Sequence, residues 1–113
     1  MKQRLCHLND INPPHGEQQY TSKGFDFHGQ LIFAVRKQEA VFIYHNQCPH
    51  LGIQLEWLPD RFLDVDGELI QCSTHGALFN IDDGLCISGP CSGQSLQSIP
   101  YELRDGDIYI ALD

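Results

Sequence analysis

Cys48-Pro49-His50-Leu51-Gly52 and Cys72-Ser73-Thr74-His75-Gly76 decide how this chain is read: a C-x-H-x-G box and a C-x-x-H-G box, with 21 residues between His50 and Cys72. Each box sets a thiol and an imidazole two or three positions apart. Ligands so spaced in turns can converge on one centre while neighbouring peptide N–H groups point at it. A glycine closes each box, and without a side chain Gly52 and Gly76 let the backbone come close to a metal and donate hydrogen bonds to sulfur. Two thiolates and two imidazoles complete a four-ligand set. Taken singly, any of these residues would read as an ordinary buried cysteine or a hydrogen-bonded histidine.

Working outward, the flanking segments alternate in short apolar runs. Leu31 to Arg36 and Val41 to Tyr44 are rich in β-branched and aromatic residues and predict a hairpin turning near Lys37-Gln38-Glu39. The run of alternating stretches opens at Gly24-Phe25-Asp26-Phe27-His28-Gly29. Further strands are expected at Phe62 to Asp64, Glu68 to Gln71, Leu78 to Ile81, Leu85 to Ile87, Gln97 to Leu103 and Ile108 to Leu112. Asp66-Gly67, Asp83-Gly84 and Asp105-Gly106 supply turn signals between them. Ile53 to Leu58 is too short for a stable helix and is closed by Pro59. The first two dozen residues are less patterned than the rest. The expectation is an all-β chain forming one domain over 1–113.

Composition narrows the function. The 113 residues leave room for one site rather than a catalytic and a carrier domain together. Seven Lys and Arg against 15 Asp and Glu give a net charge of −8, with no basic patch, so nucleic acid is not an expected partner. The acidity keeps a small protein soluble or steers it to a basic docking face. No secretory signal follows Met1-Lys2-Gln3-Arg4-Leu5-Cys6-His7, and no apolar run could cross a bilayer, so the chain is expected to be cytoplasmic and free of the membrane. Five cysteines are an odd count for a disulfide framework, which makes metal ligation their leading use.

A Cys₂His₂ zinc site is a rival for the same ligands, and with it a zinc-stabilised interaction domain without redox chemistry. Such sites pair Cys with Cys and His with His locally, whereas each unit here mixes the two. The paired boxes, the segment between them and Gly89-Pro90-Cys91 together resemble the Rieske ferredoxin family over roughly half of the chain. By that resemblance Cys48 and Cys72 bind one iron and His50 and His75 the other iron of a single 2Fe-2S cluster. It implies a Rieske fold: an antiparallel β-sandwich base built from both chain ends, carrying a smaller cluster-binding subdomain at about 46–92.

The function implied is one-electron transfer from a reductase to a terminal oxygenase or reductase, by a component that is not itself an enzyme. A small subunit of an assimilatory nitrite reductase is the second possibility. Replacing two thiolates by imidazoles raises a cluster's potential, the class spanning about −150 to +300 mV. High-potential relatives carry disulfide cysteines where this chain has Ile53 and Thr74, and hydroxyls where it has Ala77 and Phe79. A potential toward the low end follows. The inter-box segment is longer than in compact relatives, with the extra length expected near Leu58 to Phe62. Pro90 matches a loop that covers the cluster. Cys86, Cys91 and Cys6 read as small buried groups, His45 as a packing or surface residue, and Trp57 as interior.

Overall fold

The computed structural model describes residues 2–49, 52–56, 58–74 and 76–111. It is nearly all-β, with nine strands in three antiparallel sheets among the described residues. One sheet has β2 (Thr21–Phe27), β3 (Gln30–Lys37) and β4 (Ala40–His45) in sequence order. A second places β9 (Asp107–Ile110) between β1 (Gln3–His7) and β8 (Tyr101–Arg104). The third is short: β5 (Ile70–Gln71), β6 (Leu78–Phe79) and β7 (Cys86–Ser88).

Strand β3 shows why the layers form. Ile32, Phe33, Ala34 and Val35 are all fully buried, which a strand covered on only one face cannot achieve. Alternation sends Phe33 and Val35 into a core with Cys48, Cys72, Ile70 and Phe79. Ile32 and Ala34 point the other way, into a core with Cys6, Ile108 and Ile110. The β2–β3–β4 sheet therefore stands between the two-box region and the sheet made by the chain ends.

Turn chemistry sets the registers. His28 and Gly29 both take positive φ (54° and 88°) in the two-residue β2–β3 turn, and Gly29 N–H donates to Asp26 Oδ1 at 2.8 Å. Asp105-Gly106 does the same between β8 and β9 (51° and 85°). Buried Arg36 donates from Nη1 to the carbonyls of Leu8 and Ile11, at 3.0 and 2.7 Å, and from Nε to that of Gln38 at 2.5 Å. It thereby fastens the N-terminal segment to the central sheet.

Several expectations shift. The weakly patterned N-terminus holds strand β1, whose stability comes from pairing with β9 about a hundred residues away rather than from local alternation. Strand β2 starts at Thr21, before Gly24. A single 3₁₀ turn at Leu8–Asp10 was not foreseen, although His7 caps it: Nδ1 accepts from Asn9 N–H at 3.0 Å, and His7 N–H donates to Asp10 Oδ2 at 2.9 Å. Phe62 to Asp64 reduces to one bridge, Leu63 with Ile70. In Gln97 to Leu103 the strand begins only at Tyr101, after Pro100, which has no N–H for a ladder. Described residues of Ile53 to Leu58 contain no helix. Leu112 and Trp57 lie outside the described residues.

Candidate metal centre

The two boxes close in the same way. Cys48 N–H donates to Ile53 C=O at 2.7 Å, and Gly52 N–H to Cys48 C=O at 2.7 Å. Cys72 N–H donates to Ala77 C=O at 2.9 Å, and Gly76 N–H to Cys72 C=O at 2.8 Å. Each is a loop in which the cysteine bonds to the fifth residue after it and the fourth, a glycine, bonds back. Gly52 and Gly76 sit at φ +71° and +68°, where a side chain is disfavoured. The histidines stand at different offsets in the two sequences, yet the backbone frame is common to both.

Both cysteines are fully buried, and neither is in a disulfide. His50 and His75, the other two expected ligands, lie outside the described residues, as does Leu51. Two buried thiols at the bases of matching loops suit a thiophilic metal group, whose charge would offset the cost of burying thiolates. The donor set therefore fits. The wall beside it is apolar: Ala77 and Phe79 are fully buried in the same core and offer no hydroxyl.

A third segment leans on both boxes. Gly89 adopts φ +106°, and a Cβ there would stand 2.8 Å from Ala77 Cα, so the Gly89-Pro90 turn rests directly on the second box. Cys91, two residues on, is buried with its sulfur 3.0 Å from that of Cys86. Burial first, and then contact with the sulfurs of Cys86 and Cys48, push the Cys91 thiol up to about 12. The Cys91 thiol stays protonated in that setting, and burial of both side chains is consistent with a packing role. Cys6 lies in the other core, where burial, reinforced by Asp10, raises its thiol to about 11.

The inter-box loop is moored to the central sheet. Ser22 Oγ donates to Asp60 C=O at 2.7 Å, and Gly24 N–H to Asp60 Oδ1 at 2.8 Å. Phe62 stacks on Phe33 with centroids 4.4 Å apart and planes 5° from parallel. Gly24 leaves the room this needs, since a Cβ there would reach Phe62 Cζ at 3.1 Å.

Sequence reasoning missed Asn46. It is buried, donates from Nδ2 to Glu56 Oε1 at 2.9 Å and accepts at Oδ1 from Leu55 N–H at 2.9 Å. An asparagine two residues before a candidate ligand was a usable signal, because its side chain readily bonds nearby backbone. His45 ends β4, and its backbone N–H donates to Gln97 C=O at 3.0 Å.

Known proteins resemble this chain in sequence and in fold. The model of the Rieske [2Fe-2S] domain family matches residues 1–100. Ferredoxin CarAc of Metapseudomonas resinovorans is 36% identical over 47 residues, which are 42% of this chain and 43% of that protein. The match thus spans under half the length of this curated relative. The ferredoxin of carbazole 1,9a-dioxygenase from Nocardioides aromaticivorans IC177 superposes with a TM-score of 0.75 at 19% identity, covering 100% of this chain and 99% of that one. A chain in the complex of reduced oxygenase and oxidized ferredoxin in carbazole 1,9a-dioxygenase gives 0.72 at 24% identity, covering 96% and 100%.

Proposed function

This chain belongs to the Rieske [2Fe-2S] domain family, and on that footing we propose that it is a one-electron carrier relaying electrons from a reductase to an oxygenase. The observation that carries the proposal is the pair of identically closed loops, each with a fully buried cysteine at its base. Cys48 and Cys72 would hold one iron of a 2Fe-2S cluster and His50 and His75 the other. When bound, the cluster supplies a one-electron couple within about −150 to +300 mV.

The chain's own residues set the conditions. Buried Cys48 and Cys72, backed by Phe33, Ile70 and Phe79, keep water from the sulfur side. Ala77 and Phe79 donate no hydrogen bond from a side chain toward sulfur, which supports a value toward the low end. The whole chain, 1–113, serves as one domain in this reading, with the cluster-holding part at about 46–92. The ferredoxin–oxygenase complexes among the similar folds support redox proteins as partners. All four side-chain ligands are spent on the cluster, leaving no open metal position, so the chain serves enzymes rather than being one. No helix among the described residues is long and apolar enough to cross a membrane; a cytoplasmic place of action completes the proposal.

The test is anaerobic purification with iron, acid-labile sulfide and zinc counted per chain, and an EPR spectrum after dithionite reduction. Two irons, two sulfides and a rhombic Rieske-like signal are expected, with Cys48→Ser and Cys72→Ser each losing most of the iron. Stoichiometric zinc without iron, after iron-replete expression, would overturn the proposal in favour of a zinc-held interaction domain.

A further inference from the structure

The two boxes are joined by a short chain of hydrogen bonds in which one side chain is the middle link. Asn46 N–H donates to Leu31 C=O on β3 at 3.0 Å, which roots the residue in the central sheet. Its side-chain Oδ1 accepts from Leu55 N–H at 2.9 Å. Leu55 C=O in turn accepts from Ser73 N–H at 2.7 Å, one residue beyond Cys72. The path therefore runs from the central sheet to a residue beside the first box, on to Leu55, and on to the second box. Leu55 is fully buried and Asn46 only 8% exposed, so water cannot readily replace either bond.

Chemistry fixes how the Asn46 amide faces. Leu55 N–H can only donate, so it requires the oxygen; Glu56 carboxylate can only accept, so it requires the nitrogen. Glu56 Oε1 lies 2.9 Å from Nδ2 and thereby selects the useful orientation. A non-hydrogen-bonding residue at 46 would leave Leu55 N–H without a partner and release Leu55 to move, along with the Ser73 contact it holds.

We infer that Asn46 is a positioning residue that fixes the spacing and relative orientation of the Cys48 and Cys72 loops through the Leu55 peptide. The inference rests on the reading of those loops as cluster ligands. Asn46 touches no proposed ligand atom in this role; it acts through backbone, and it would set the electronic environment of a bound cluster by keeping both sulfurs in one arrangement.

The test compares wild-type holoprotein with Asn46→Ala, with the double variant Asn46→Asp/Glu56→Gln, and with Ile108→Ala, a core truncation in the sheet of the chain ends. Readouts are the EPR g-values and line widths after dithionite and the rate at which excess chelator removes iron. Asn46→Ala is expected to broaden or shift the EPR signal and to speed iron loss roughly 10-fold, whereas Ile108→Ala lowers the melting temperature with an unchanged spectrum. The double variant keeps an oxygen for Leu55 and reverses donor and acceptor against residue 56, and is expected to restore the wild-type spectrum. An Asn46→Ala spectrum like that of wild type, with iron loss no faster than in Ile108→Ala, would overturn the inference. Should Asn46→Ala yield no holoprotein, the double variant decides: a wild-type spectrum supports the role and an altered one overturns it. Iron and sulfide counts on wild-type protein are read separately, so a missing cluster marks failure of the underlying reading as distinct from failure of Asn46.

Discussion

Replacing Gly89 by alanine tests the packing of the third segment against the second box. Gly89 lies at φ +106°, and its added Cβ would sit 2.8 Å from Ala77 Cα and 3.1 Å from Ala77 Cβ. Backbone conformation alone costs an L-residue there about 1–2 kcal/mol. The contact with a backbone atom cannot be relieved by a rotamer change, and forced overpacking adds about 1–3 kcal/mol. Gly93 provides the control: it has φ +89° and nothing within 4 Å of the added Cβ. At about 4 °C per kcal/mol for a domain of this size, Gly93→Ala should lower the apparent melting temperature by about 4–8 °C and Gly89→Ala by about 8–20 °C. The assay is thermal unfolding of holoprotein at a fixed scan rate, followed by far-UV circular dichroism and visible absorbance together, because loss of a cluster makes unfolding irreversible. Adding Ala77→Gly to Gly89→Ala removes the 3.1 Å contact but keeps the 2.8 Å one, so recovery should be partial. Equal shifts for Gly89→Ala and Gly93→Ala would refute the close approach and leave only backbone strain.

Three further outcomes follow from buried polar groups. Tyr44 donates its hydroxyl to Ile81 C=O at 2.5 Å, and burial, aided by the charges of Asp83 and Asp82, pushes its pKa up to about 12. Because the folded value exceeds the unfolded one near 10, this stabilisation is complete below pH 10 and is lost as pH rises through 12. Stability to urea should therefore fall by up to about 2 kcal/mol between pH 10 and 12, seen as unfolding that quickens over that range in wild type but not in Tyr44→Phe; parallel pH profiles would argue against it. Cys6 behaves likewise one unit lower, so Cys6→Ala should flatten the profile between pH 9 and about 11, measured the same way. Arg36→Ala strips the donors from three carbonyls and should cost about 2–4 kcal/mol. Hydrogen exchange should then quicken first at Leu8 to Ile11, and unchanged protection there would show that Arg36 does not fasten this segment.

Much of the fold was legible because the pattern was local. The apolar run at Ile32 to Val35 reads as a strand from its side chains alone, and Asp105-Gly106 marks a tight hairpin because both residues accept positive φ. Strand β1 was illegible for the opposite reason: Gln3–His7 has weak alternation and is a strand only because β9 lies beside it. The 3₁₀ turn at Leu8–Asp10 depends on the same docking, with Arg36 reaching across from β3 to the carbonyls of Leu8 and Ile11.

The candidate site divides along the same line. Sequence by itself determined the two boxes, their glycines and the pairing of a cysteine with a histidine in each, since ligand type and spacing are properties of a few adjacent residues. Only the tertiary structure decided that both loops close by the same two hydrogen bonds, that Gly89 presses on Ala77, that Cys91 meets Cys86, and that Asn46 ties the boxes through Leu55. Those contacts join segments whose distance in space is set by packing of the whole core, and no local pattern of residues encodes which buried donor will find which acceptor.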